Sequence, residues 1–291
     1  LDIDYNGFIL ISVVISSYQE HHLRKICQNI KDTIGVDHEI IVIENKNKYS
    51  IAEVYNLGIS KAKFPYLCFV HEDLTIKTHN WGETIISLFM NDQNIGLIGV
   101  AGVTEKTKSP SQLWSTDTKN QVIYIEHKIN ESIELTTSNW ESQKYKEVVI
   151  IDGVFMAMRN FKKLFFNTKI PGFHFYDMSI SLECFKQNLK VIATNQILIE
   201  HYSLGSINES WIYPAYIFHK IYKQLLPIGL GSLPTVLKEK ECLSSYIIFA
   251  INNNYFRISF IHWISFFIKH PFSGFNLLYF KHFFKQLLKN A

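Results

Sequence analysis

His71, Glu72 and Asp73 follow directly on the apolar run Tyr66, Leu67, Phe69 and Val70. A buried strand that ends in acids sets its charges at the carboxyl edge of a sheet, where open α/β folds bind ligands. Oxygen donors packed that closely suit a hard divalent cation, and such a cation commonly arrives with a phosphate. The same triplet also fits a strand running into a solvated turn, so its chemistry depends on what other segments bring alongside. Two further strand-like runs end in groups of matching character: Ser16-Ser17-Tyr18-Gln19-Glu20 and Glu44-Asn45-Lys46-Asn47. The Tyr18 ring can stack on a base or simply cover the core. The Glu20 and Glu44 carboxylates can accept hydrogen bonds from a base or a ribose hydroxyl.

The elements that must position these groups follow a strand–helix rhythm. Leu10 to Ser16 is a β-branched strand, and His22 to Ile34 carries apolar residues at helical spacing, closed by Gly35. His38 to Glu44 is a second strand. Ser50 to Ala62 reads as a helix with Ser50 as N-cap and Glu53 completing a capping box. Tyr66 to Val70, the helix Trp81 to Met90 and the strand Ile95 to Val100 continue the pattern, which implies parallel pairing with right-handed crossovers. From Gly102 to about Lys146 periodicity fades into a long loop or a β-hairpin over the sheet edge. Val148 to Met158 restores a strand interrupted at Asp152-Gly153; a helix over Ser179 to Asn188 and short strands at Lys190 to Ala193 and Ile197 to Ile199 follow. The expected fold is α/β, a mostly parallel central sheet flanked by helices with a C-terminal helical extension, divided near residue 212 into 1–211 and 212–291.

Composition narrows the class. With 47% hydrophobic and 19% charged residues the chain is globular rather than disordered. A formal net charge of +3 over 291 residues makes no demand for a nucleic-acid partner. Four isolated cysteines without a CxxC pair fit reduced residues of a cytoplasmic protein. The acidic start Leu1-Asp2-Ile3-Asp4 carries no basic region of a secretory signal. No apolar stretch reaches the roughly 18–20 residues of a membrane span.

The pattern Ala52-x-x-x-Asn56-x-Gly58, followed by an apolar strand with an acidic terminus, resembles inverting glycosyltransferases of the GT-A fold, family 2 type. In that family an acidic DxD cluster holds Mn2+ or Mg2+ on the diphosphate of a nucleotide sugar. The resemblance puts His71 at its first position and Asp73 at its last, with Glu72 between them and Asn56 on the donor side. It further implies that Asp152-Gly153 belongs to the strand cradling donor and acceptor. In Gly172-Phe173-His174-Phe175-Tyr176-Asp177, Asp177 takes the place of the catalytic base and Tyr176 that of the usual Glu, with His174 and Tyr176 toward the acceptor. Such a base removes the acceptor hydroxyl proton as the oxygen attacks the anomeric carbon. Outside the resemblance, Asp177 also fits a cap on the following helix. The run Glu200-His201-Tyr202-Ser203-Leu204-Gly205-Ser206 resembles a late motif with His201 as a third metal ligand and Gly205-Ser206 amides at phosphate. Together these segments, over roughly residues 10 to 211, resemble the StrF-type glycosyltransferase-like domain of streptomycin biosynthesis clusters. The implied donor is a nucleotide sugar, with a UDP-sugar favoured, and the acceptor a glycan or a lipid-linked sugar of polysaccharide biosynthesis.

Beyond Glu241 no acid remains, while aromatics and lysines accumulate. Phe275, Leu278, Tyr279, Phe283 and Leu287 fall near one helical face beside Lys281, Lys285 and Lys289, a pattern of membrane-surface helices as well as of a packed subdomain or a homo-oligomer contact. Three other functions compete with glycosyl transfer. A sugar nucleotidyltransferase would need a glycine-rich loop after the first strand, where Ser16 to Glu20 has no glycine. A catalytically silent carbohydrate-binding or scaffolding module is consistent with the His71 and Tyr176 departures but not with Asp73, Asp177 and His201. A zinc hydrolase on His71, His174 and His201 lacks any compact ligand motif.

Overall fold

The computed structural model describes residues 11–129, 132–161, 163–203, 205 and 207–290. The first half follows the strand–helix rhythm: β1 (Ile11–Ser17), α1 (Glu20–Thr33), β2 (His38–Glu44), α2 (Ile51–Lys61), β3 (Tyr66–Val70), β4 (Leu74–Ile76), α3 (Trp81–Asn91), β5 (Ile95–Gly99) and β6 (Ala101–Val103). After the short β7 (Glu105–Lys106) come β8 (Gln121–Ile129), β9 (Ser132–Ser138), β10 (Tyr145–Val148), β11 (Ile150–Ile151), β12 (Phe155–Arg159), α4 (Tyr176–Lys186), β13 (Lys190–Thr194) and β14 (Ile199–His201). The remainder is α5 (Ile212–Ile221), the short β15 (Ile228–Gly229), α6 (Val236–Asn252), α7 (Phe256–Lys269) and α8 (Phe275–Asn290).

Two compact units emerge. One runs through Thr104 and resumes over Asp117–Gly205; the other joins Glu105–Thr116 to the chain after Gly205. The first unit is built on a sheet of order β10-β13-β5-β12-β3-β1-β2. β1 is parallel to β2 and β3, and β13 to β5, whereas β12 and β10 run against their neighbours. The reversal of β12 has a local cause: the Asp152-Gly153 turn, not a crossover helix, feeds it, so it enters between β3 and β5 in the opposite sense. A second sheet, β11-β6-β8-β14-β4 with β9 on β8, contains the segment whose periodicity fades in the sequence. The expected hairpin is the β8–β9 pair.

Burial explains the pairing. β3 and β5 carry almost wholly buried apolar residues, as strands covered on both faces must. The Ser50–Glu53 capping box starts α2, which then turns Ala52, Tyr55 and Gly58 inward. A Cβ on Gly58 would lie 2.2 Å from Val14, so glycine is what lets α2 settle onto β1. Tyr55, Phe69, Phe166 and Tyr176 form an aromatic cluster with centroids 4.9–6.4 Å apart, each pair worth about 0.5–1.5 kcal/mol beyond its buried area.

In the second unit Leu243, Ile247, Ile251, Phe266 and Tyr279 close a core between α6, α7 and α8, with Phe275 and Phe283 against it. Of the face expected on the last helix, Phe275, Tyr279 and Phe283 are the packed side, whereas Leu278 and Leu287 are exposed along with Leu277, Phe280, Phe284 and Leu288. The sequence shows apolar residues on most of this helix, and its own periodicity does not say which stripe finds a partner. No helix is long and apolar enough to cross a membrane among the described residues. All four cysteines are unpaired.

Candidate functional site

The parallel strands β1, β2 and β3 deliver their carboxyl ends to one edge, where a cleft of about 390 Å³ opens, within the size range of small-molecule sites. Ser16, Tyr18 and Gln19 line it from β1, Asn45 and Asn47 from β2, and His71, Glu72 and Asp73 from β3. His22, Ile51, Tyr55 and Phe173 complete the wall. Glu72 braces this edge: its Oε1 accepts the Tyr18 and Gln19 backbone N–H groups at 3.0 and 2.8 Å, placing negative charge at the start of α1. Glu72 Oε2 and the Tyr55 hydroxyl are both buried without a hydrogen-bond partner among the described residues. Leaving such an atom unbonded costs about 1–3 kcal/mol, so the two mark where a polar ligand gains most.

The register of β4 on β14 builds the acidic corner. His201 pairs opposite Leu74, and the Tyr202 N–H donates to the Asp73 carbonyl at 3.0 Å. His201 Nε2 thereby lies 3.4 Å from Asp73 Oδ1, and His71 Nδ1 lies 3.8 Å from the same oxygen. One ligand atom from each of His71, Asp73 and His201 falls within 4.8 Å of the others. Two imidazoles and a carboxylate fit a divalent ion that accepts nitrogen and oxygen donors, such as Mn2+, better than Mg2+, which favours oxygen throughout. Burial would raise the Asp73 carboxyl, but the His201 hydrogen bond and the charges of His201 and His71 hold it well below the usual carboxylate range. Burial, opposed by Asp73, lowers the His71 imidazole and favours its neutral, ligand-competent form. His127 on β8 stands beside His201 through the parallel β8–β14 pair, ring centroids 6.1 Å apart, and its imidazole too is lowered by burial.

Behind His71 sits Tyr176, whose hydroxyl meets His71 Nε2 at 2.7 Å. That contact leaves Nδ1 facing the corner, as outer-shell partners do for metal-binding histidines. Tyr176 reaches this position over Gly153, where a Cβ would lie 2.2 Å from its hydroxyl oxygen. The next residue, Asp177, occupies the first turn of α4; Phe175 is the N-cap. Asp177 Oδ1 accepts the Met178 N–H at 2.8 Å and Oδ2 the Gly153 N–H at 3.2 Å. Burial and the neighbouring Asp152 push its carboxyl up to about 7 despite those bonds.

Comparison with known proteins assigns the family. The profile of the glycosyltransferase-like family matches residues 9–219. The chain belongs to that family. Among solved structures, this glycosyltransferase-like chain is similar to the crystal structure of GalNAc-T7 with UDP, GalNAc and Mn2+, at TM-score 0.52 and 10% identity, over 74% of this chain and 48% of that one. The likeness is one of fold, GT-A, and the chain spans about half the length of that protein. A second structure, A197 from STIV, aligns at TM-score 0.37 and 10% identity over 67% of this chain and 86% of that one. No curated protein sequence matches.

Within this glycosyltransferase-like fold the residues expected from sequence divide clearly. Ser16, Tyr18, Glu72, Asp73 and His71 line the cleft, and β14 brings His201 to them. Asp152-Gly153 connects to Asp177 through the Gly153 N–H. Glu20 and Glu44 are not in the lining: Glu20 pairs with Arg24 on the exposed side of α1, and Glu44 with Lys46 at 2.7 Å. Asn56 faces the chain's own backbone, donating to the Phe166 carbonyl and accepting its N–H, both at 2.9 Å. Tyr176 is buried behind His71, and His174 is partly buried with its imidazole lowered by that burial. Ser206 lies outside the described residues. Sequence reasoning did not single out Asn45, Tyr55, His127 or Phe173. Asn45 had a signal: in β2 Val42 and Glu44 alternate outward, so the residue after Glu44 turns inward with Ile43.

Proposed function

We propose that the chain is an inverting glycosyltransferase that moves a sugar from a nucleotide donor, a UDP-sugar being favoured, to a hydroxyl of a glycan or lipid-linked acceptor. On this reading it acts at the cytoplasmic side, in the StrF-type branch of its family. Residues 1–211 are the catalytic domain, and the helical region from 212 serves acceptor, membrane-surface or subunit contacts. One observation carries the reading: two carboxylates of neighbouring segments are driven apart in acidity, Asp73 downward and Asp177 up to about 7. Opposed shifts of this kind separate a charge-holding acid from a proton-accepting one. That GalNAc-T7, of the same fold, was crystallised with UDP and Mn2+ adds to it.

In this reading His71, Asp73 and His201 hold a divalent ion, Mn2+ before Mg2+, whose charge offsets that developing on the diphosphate leaving group. Tyr18 stacks on the base, while Ser16, Glu72 and the Tyr55 hydroxyl bind polar parts of the donor. Tyr176 holds His71 in orientation, and burial together with the neighbouring Asp152 keeps the Asp177 carboxyl basic enough to work near neutrality. Asp177 takes the proton of the acceptor hydroxyl as its oxygen bonds to the anomeric carbon. The bond to the diphosphate breaks with its electron pair leaving on the phosphate oxygen, and the anomeric configuration inverts.

A thermal-shift screen of UDP-, GDP-, dTDP- and CMP-sugars with Mn2+, Mg2+ or neither tests the donor site. Stabilisation by a UDP-sugar that is larger with Mn2+, and lost in Asp73→Ala, is the expected result. Equal shifts with and without metal would remove the metal assignment. No shift with any nucleotide would favour a carbohydrate-binding module without transferase activity.

A further inference from the structure

The core between α6, α7 and α8 accounts for their inner faces; the outer faces of α7 and α8 are apolar and open. On α7, Ile261, Ile264 and Ile268 recur at helical spacing and are exposed, Ile268 to 73%. On α8, Leu277 and Leu288 are 78% and 79% exposed, and Phe272, in the turn between the helices, is fully so. The two faces are continuous. Trp263 of α7 stacks on Tyr279 of α8 at 4.6 Å and touches the exposed rings of Phe267 and Phe280 at 5.5 and 5.0 Å. Scattered surface hydrophobes need no explanation, but a contiguous patch spanning two helices marks an interaction surface.

Charge identifies the occupant. Arg257, Lys269, Lys281 and Lys285 are exposed on these two helices, and no acidic residue follows Glu241 in the sequence. A second copy seated on this face by two-fold symmetry would bring cation against cation with no acid to offset them. Apolar side chains between cations match instead the boundary between acyl chains and anionic headgroups. Neither helix can cross a bilayer, which leaves binding in its plane. We infer that the outer faces of α7 and α8 dock on an anionic lipid surface, with Phe272 and the Ile268 side of α7 entering the acyl boundary and Lys281 and Lys285 meeting headgroup phosphates. Docking of this kind is independent of the transfer chemistry and stands or falls without it.

Sedimentation of the full chain with vesicles of phosphatidylcholine alone, or with about 30% phosphatidylglycerol, tests this at low and high salt. Binding to the anionic vesicles at least about tenfold above the neutral ones, weakened by salt, is expected. K281E/K285E should remove that preference. Phe272→Ser with Ile268→Ser should cut binding at least about fivefold, leaving the far-ultraviolet spectrum and any nucleotide-induced thermal shift unchanged. Protein remaining in the supernatant with anionic vesicles at low salt overturns the inference, as does binding that both variant pairs leave intact. A concentration-dependent dimer in sedimentation velocity, dissolved by the Phe272→Ser/Ile268→Ser pair, overturns it in favour of self-association.

Discussion

Tyr176 and His71 are joined hydroxyl to Nε2 at 2.7 Å, across a gap that exists because residue 153 has no side chain. The contact leaves the His71 Nδ1 free to face Asp73 and ties the orientation of a candidate ligand to the start of α4. Tyr176→Phe keeps the ring in its aromatic cluster and deletes only this bond. It should weaken Mn2+ affinity about 10–100-fold, the usual effect of losing an outer-shell partner, with little change in melting temperature. Calorimetric titration of Mn2+ in the presence of UDP checks it; an unaltered affinity would make the contact purely structural.

Asp177→Asn should abolish transfer while leaving nucleotide binding near that of the parent. The folded carboxyl titrates at about 7, above its ordinary 3.8. Between those values the folded chain holds a proton that the unfolded chain has released, so this group's contribution to stability is full below about 4 and lost as pH rises through about 7. The Asn variant should therefore melt higher than the parent at alkaline pH, with the gap closing toward pH 4, while the parent's kcat/KM rises across about pH 7. Melting curves and rates across that window test both signs; an Asn variant that melts lower at alkaline pH contradicts the buried-acid account.

Tyr55→Phe removes a buried hydroxyl that has no hydrogen-bond partner among the described residues. The unliganded chain should be as stable as before or more stable by about 1 kcal/mol, since a desolvated donor disappears. Donor affinity should fall about 3–10-fold for the loss of one hydrogen bond. Paired denaturant curves and nucleotide titrations separate the two effects. If stability drops and affinity holds, the hydroxyl serves the fold and not the ligand.

Asn56 sits on the same helix with the opposite role. Its amide satisfies both the N–H and the carbonyl of Phe166, so Asn56→Ala strands two partly buried backbone groups. A loss of about 2–3 kcal/mol in unfolding free energy is expected, with nucleotide affinity unchanged under conditions where the variant is folded. A selective loss of nucleotide binding would return Asn56 to the donor site.

Local pattern is the part of the fold that is legible in the sequence. Ser50 and Glu53 lie three residues apart and form the capping box that their types imply, and the apolar run Tyr66 to Val70 is the buried strand that carries His71 to Asp73 to the sheet edge. What the sequence leaves open is decided by strand pairing. Glu44 carries the charge that suggests chemistry, yet strand alternation turns it outward and gives the inward place to Asn45. His201 reads as a residue after a strand; it belongs to β14, and its approach to Asp73 depends on an antiparallel register that no local pattern encodes. His127 joins it through a second, parallel pairing. In the last helix the apolar stripe was visible, but the choice between its packed and open sides belongs to α6 and α7.

The antiparallel pairing of β4 with β14 also sets an order of events during synthesis. Asp73 and His71 leave the ribosome early, whereas His201 ends the last strand of its sheet. The three side chains therefore cannot converge on a nascent chain until the whole first unit has been made. On the proposed reading, an ion bound there would meet a finished scaffold, in contrast to small zinc domains whose folding waits for the metal. If Mn2+ is that ion, as proposed, cells starved of manganese should accumulate this protein folded and idle, ready to be switched on by resupply without new translation.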